Sequence, residues 1–267
     1  MYNATYTENK LLTIFWRGSV TSRAYYLGGN NMIGFGKYTK KAEPVTITSL
    51  TDERLVLINP QEHGFFDAVI NFKSTNSDIN AFIEAISEVK AAKLEPFYKP
   101  IYDPSEDGNI IAYQKGKKPA VGHSYNWWVE TASKMSAVDG RHWRLATEYQ
   151  YYTILLWLIN QLVKGDKSVD VAIKMVVLDS RELGHYDDSE NSTEGKDFED
   201  TGSRCVCGVY DLANTCKILS CSDKEAGGFW FGGGNFYDYG DRYPLASLFH
   251  DTHVVNDNYN GVGLLVL

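Results

Sequence analysis

Four cysteines, Cys205, Cys207, Cys216 and Cys221, fall within one short stretch of the chain, and clustered thiols can hold a soft metal ion or close a disulfide. Structural zinc sites usually offer cysteine pairs with roughly two to four residues between them. Here one residue separates Cys205 from Cys207 and no second close pair follows, so the spacing predicts reduced, partly buried thiols and no metal. Of the six histidines, His63, His123, His142, His185, His250 and His253, only the last two are close in sequence. They lie three apart without helical periodicity, a poor metal motif, and a ligand-contact role is expected for them. No G-x-S-x-G elbow, phosphate-cradling loop or dinucleotide fingerprint occurs. The expectation is therefore a protein with no catalytic residue and no cofactor. A net charge of −8 argues against nucleic acid or an anionic membrane as partner, since either would need a basic patch.

The end of the chain carries a different signal. None of the 18 Lys, 15 Glu, 4 Gln, 4 Met and 6 Trp lies beyond Trp230, although residues 231–267 should contain several of them at the frequency seen earlier. These five types share one property: codons ending in a pyrimidine cannot encode them. What fills the segment instead is Tyr, Phe, Asn, Asp, Ser and His. Large stiff aromatic rings supply contact area at low entropy cost, and the small polar groups supply adaptable hydrogen bonds, as in antibody loops. The residues expected to touch a ligand are Trp230, Asn235, Phe236, Tyr237, Asp238, Tyr239, Asp241, Tyr243, Ser247, Phe249, His250, Asp251, His253, Asn256, Asn258 and Tyr259.

The elements that must position this segment can be read from turn signals and periodicity. Residues 11–72 contain short β-rich runs at 11–16, 45–48, 55–58 and 65–72, separated by Gly28-Gly29-Asn30-Asn31, Gly34-Phe35-Gly36 and Asn59-Pro60. From Ser77-Asp78 to about Lys93, Ile79, Phe82, Ile83, Ile86 and Val89 recur at helical spacing. Residues 101–121, rich in Pro, Gly and charge, read as a linker between a β-rich module with one helix at 1–100 and a second domain at 122–267. In the second domain Ser124 caps a predicted helix from Tyr125 to Val138, and Asp139-Gly140 ends it. Thr147 caps a second over Glu148 to Val163, closed by Gly165. Val169 to Leu178 alternates imperfectly and is expected to be a buried strand. Gly184 to Gly202 is acidic and small, an exposed loop. The fold class expected is α+β. Met1 to Lys10 has no secretory pattern. The longest apolar run, Ile154 to Ile159, is far shorter than the roughly 20 residues of a membrane span. No membrane insertion is expected, and the location is cytoplasmic or within a virion.

Four short pieces stand in order: a Trp-bearing helix between Ser124 and Ala137, with Trp143-Arg144-Leu145-Ala146-Thr147-Glu148-Tyr149 after it; Gly208-Val209-Tyr210-Asp211-Leu212-Ala213-Asn214; Gly227-Gly228-Phe229-Trp230; and Gly261-Val262-Gly263-Leu264-Leu265-Val266-Leu267. Together they resemble the formylglycine-generating-enzyme branch of the C-type lectin fold over residues 122–267. Ala146 departs from the usual proline, and Leu264-Leu265 from the usual Phe-Arg. The branch's copper oxidases use a cysteine pair near the C-terminus. No cysteine follows Cys221, so the catalytic identity does not carry over. With its composition, the segment resembles the variable protein of a diversity-generating retroelement, in which adenines of the C-terminal coding segment are randomised. That resemblance implies a non-catalytic receptor-binding protein of a phage tail tip or a cell surface, often trimeric, contacting a cell-surface protein or glycan. Two alternatives remain at this point, a lectin-fold metalloenzyme and a purely structural virion protein.

Overall fold

The computed structural model describes residues 3–6, 11–15, 25–26, 55–107, 110–184, 200–223, 227–235, 240–251 and 261–267. They fall into two compact units, Met1–Thr46 and Ile47–Leu267. In the first, β1 (Asn3–Tyr6), β2 (Leu11–Phe15) and β3 (Tyr25–Tyr26) form an antiparallel sheet in that order, with Ala4 opposite Ile14 and Leu12 opposite Tyr25.

The second unit is a mixture of helices and small sheets. In chain order it contains β4 (Leu55–Ile58), α1 (Asp67–Ile70), α2 (Ser77–Ala92), β5 (Phe97–Pro100), β6 (Ser105–Asp107), β7 (Ile110–Ala112), α3 (Tyr125–Asp139), β8 (Arg144–Leu145), α4 (Glu148–Lys164) and α5 (Val169–Val177). The strands β9 (Cys205–Val206), β10 (Val209–Tyr210), β11 (Cys216–Ser220), β12 (Phe229–Gly232), β13 (Leu248–Asp251), β14 (Gly261–Gly263) and β15 (Leu265–Val266) follow. The main sheet runs β13-β12-β11-β14, antiparallel except for the parallel pair of β11 and β14.

Helices cover both faces of this sheet. On one side α4 packs against β11 and β12, and its Tyr151 ring lies where a Cβ on Gly232 would come within 2.8 Å. On the other side lies α3, whose Trp128 ring would meet a Cβ on Gly263 at 2.4 Å, while Tyr125 stacks on Phe229 with ring centroids 5.3 Å apart. Both close approaches depend on glycine's missing side chain. Helix starts are well determined: Ser124 Oγ accepts from the Trp127 N–H, and Thr147 forms a capping box with Gln150. The last strand ties the unit together. Leu265 pairs with Leu145 of β8, and Leu267 exchanges two backbone hydrogen bonds with Tyr98 of β5.

Several sequence expectations change here. Residues 65–72 contain the short helix α1 in place of a strand, with Phe65, Phe66 and Val69 buried. Val169–Val177 is also helical. Ser168 caps it, Asp170 and Lys174 pair one turn apart, and Ala172, Ile173, Val176 and Val177 form its buried face; its β-branched residues mask a helical period. The α2 cap is Asn76, one residue before the Ser77-Asp78 pair that opens the helical pattern. Within the second unit no boundary separates residues 55–100 from 122–267, because one apolar core joins Ile58, Phe82 and Phe97 to Leu156, Leu219 and Val266. Residues 101–121 are correspondingly no linker: they carry β6 and β7 and bury Ile101, Ile111, Tyr113 and Ala120. The strand expected at 45–48 and most of the loop at 184–202 lie outside the described residues.

Candidate functional site

The expected ligand-contacting segment forms the β13 edge of the main sheet and the chain leading into it. Between β12 and β13, residues 240–247 are held from outside the segment. Tyr151 donates its hydroxyl to the Leu245 carbonyl at 2.7 Å, Ser180 Oγ accepts from the Leu245 N–H at 2.9 Å, and the Val176 carbonyl accepts from the Ala246 N–H at 3.1 Å. The Ser180 N–H donates to the Gly240 carbonyl at 2.9 Å, and Gly233 donates to the Ser247 carbonyl at 2.8 Å. Every segment group in these bonds is a backbone atom, so they impose nothing on the side chains at 241, 243, 247 and 249. Leu245 alone turns fully inward.

Of the predicted residues, Phe249 is 47% exposed, Asp241 and His250 are exposed, and Trp230, Asn235, Tyr243, Ser247 and Asp251 are half-buried. The pairing places Phe249 opposite Phe231 and His250 opposite Trp230. Because side chains alternate across a strand, these two pairs occupy opposite faces of the edge. Tyr243 joins Phe249, ring centroids 5.7 Å apart, with the Arg242 guanidinium over the Tyr243 ring. Phe236, Tyr237, Asp238, Tyr239, His253, Asn256, Asn258 and Tyr259 lie outside the described residues.

Spacing along the chain did not foretell the second group. His250 lies against the Trp230 ring at 4.7 Å between centroids, and its Nε2 is 3.5 Å from Cys221 Sγ. Both groups also meet the Gly227 carbonyl oxygen, Nε2 at 3.1 Å and the thiol at 3.3 Å. Beside them Glu148, in the first turn of α4, accepts from the Ser222 N–H at 2.7 Å and from its hydroxyl. Burial pushes the Cys221 thiol above its usual range, and the carboxylates of Glu148 and Asp223 push it further, against a hydrogen bond from Trp230. None of the four cysteines is in a disulfide; Cys216 and Cys221 are half-buried as expected, whereas Cys205 and Cys207 are exposed. Among the described residues no group of three or more His, Cys, Asp or Glu side chains is gathered as a metal site.

A buried ionic cluster lies below, beside β11. Lys217 Nζ donates to Asp103, to Thr215 Oγ1 at 3.1 Å and to the Asp211 carbonyl at 3.2 Å. Asp211, at a left-handed φ of 57°, turns its carboxylate to the N–H groups of Gly202, Ser203 and Arg204. Burial raises its pKa to about 6, helped by Asp103 and opposed by those N–H groups and Lys217. Burial likewise lowers Lys99 to about 8, against the pull of Asp103. The surroundings are closed and every group named has a partner, which makes this a fastening of the 200–217 region. No family model matches the chain, and no curated protein or solved structure matches it.

Proposed function

We propose that this chain is a non-catalytic binding protein whose β13 edge and adjoining segment contact a cell-surface protein or glycan, on a scaffold of the C-type-lectin-like kind. The observation that carries the reading is a division of labour within residues 231–267. Their backbone is held by Tyr151, Val176 and Ser180 from outside, while Asp241, Phe249 and His250 are exposed. Surface side chains of that sort can be exchanged at little cost in stability. A retroelement that rewrites adenines would produce the composition of this segment, and it requires a backbone that does not depend on those side chains. The scaffold assignment is supported by two helices flanking one sheet and by a terminal strand that returns to pair near β5. Attachment or trimerisation through residues 1–46, at a phage tail tip or a cell surface, belongs to the same proposal. Sequencing the neighbouring DNA tests it. The expected result is a reverse transcriptase gene and a near-copy of the 3′ coding segment that differs at adenines; flanks lacking both would remove the diversification part of the reading.

A further inference from the structure

The Cys221 thiol, the His250 imidazole and the Gly227 carbonyl converge, and we infer that these three groups form a binding site for a borderline-soft divalent metal ion of the zinc type. Mutual spacing carries the inference. Sγ and Nε2 are 3.5 Å apart, and the Gly227 oxygen is 3.3 Å from Sγ and 3.1 Å from Nε2. An ion at ordinary zinc distances, about 2.3 Å to sulfur, about 2.05 Å to nitrogen and about 2.1 Å to oxygen, would subtend angles of roughly 107°, 97° and 97° at these unmoved donors. Those angles suit a distorted tetrahedron with one position left for water or a ligand group, the backbone carbonyl standing where open zinc sites usually have a third side chain.

The surrounding charge has the sign a cation needs. Glu148 and Asp223 are the charged groups acting on the thiol, and both make loss of its proton harder while drawing in positive charge. Metal entry breaks the S–H bond, forms a metal–thiolate bond and releases that proton to solvent. The imidazole must carry its remaining hydrogen on Nδ1, leaving the Nε2 lone pair for the ion. Two of the three ligands come from outside the composition-biased segment and one from within it. The residue at 250 therefore decides how tightly the site binds, and Asn or Tyr there would remove its nitrogen ligand.

This inference stands apart from the receptor-binding reading, since its test uses metal alone. Cobalt(II) is titrated into the full reduced chain while thiolate-to-cobalt absorption in the near ultraviolet is followed, and zinc(II) is then added in competition. The expected result is a one-to-one band that zinc displaces and that persists in a C205S/C207S/C216S chain. It should weaken by on the order of 100-fold in both C221S and H250N. Apparent affinity should fall at least about tenfold for each pH unit lost below neutrality, since the thiol gives up a proton to the solvent and the imidazole binds the ion only when neutral. His250 is exposed, so H250N leaves folding intact and keeps the result readable. No band, a band retained in C221S, or one indifferent to H250N would each overturn the inference.

Discussion

The two edges of the main sheet come from the same biased stretch of sequence, yet they are built in opposite ways. At the β14 edge Gly261, Val262 and Gly263 are all buried, with Gly263 under the Trp128 ring and Gly261 against Ile218 and Cys216. At the β13 edge Phe249 and His250 are exposed, and the chain leading into it is fastened by its backbone. The absence of Lys, Glu, Gln, Met and Trp is common to both, so composition alone does not mark a contact surface. In residues 261–267 burial by itself is enough to exclude Lys, Glu and Gln. Around β13 burial gives no such reason, and the bias there needs another cause. Under the proposed reading, exchange would be confined to exposed and half-buried positions around β13 such as Asp241, Ser247, Phe249 and His250.

The largest effect that would sharpen this contrast belongs to the buried side. Removing Asp103 leaves the Lys217 ammonium and, beside it, Lys99 without their buried carboxylate partner. Asp103→Ala should cost about 3–5 kcal/mol in chemical denaturation. A loss below about 1 kcal/mol, typical of exposed pairs, would erase the distinction. Next comes Gly263→Ala. Its Cβ would meet the Trp128 ring, and overpacking of this kind costs roughly 1–3 kcal/mol. The near-ultraviolet circular dichroism should change with it as the indole shifts.

A smaller effect depends on pH. Asp211 titrates near 6 in the folded chain against an ordinary 3.8, so between those values the folded state binds a proton that the unfolded chain has released. This contribution to stability is full below about pH 4 and is lost as pH rises through 6. Asp211→Asn should remove the downward slope, at most about 1.4 kcal/mol per pH unit. The readout is the difference between wild-type and variant denaturation curves at pH 4, 5, 6 and 7; a difference that does not vary with pH would contradict the assignment.

Local chemistry was the most legible part of the sequence. Ser124, Thr147 and Gly140 mark helix ends through their own side-chain oxygens or a left-handed φ of 74°, and such signals are contained within a few residues. The β-branched face of α5 and the aromatic run before α1 misled because tertiary burial overrode local preference. The segment 101–121 misled because Pro104 and Pro119 flank the β6–β7 hairpin, which they help close through the Ala120–Pro104 and Ser105–Pro119 contacts while Ile111 and Tyr113 are buried. For the site, Phe249 and His250, expected to touch a ligand, are exposed, whereas Tyr243 and Ser247, expected alike, are half-buried. The convergence of Cys221 with His250 was not foreseen, since it arises from the β12–β13 register and not from spacing along the chain. No local pattern could have foretold that Asp103 meets Lys217 across more than a hundred residues.

The central claim is that side chains at the β13 edge can be exchanged without refolding the scaffold. It is tested most directly by thermal unfolding of a chain carrying Asp241→Asn, Tyr243→Asn, Phe249→Ser and His250→Tyr together. A Tm within about 5 °C of the parent is expected, since three of the positions are exposed and only Tyr243 is half-buried. A fall of about 10 °C or more, comparable to that of Asp103→Ala, would contradict it.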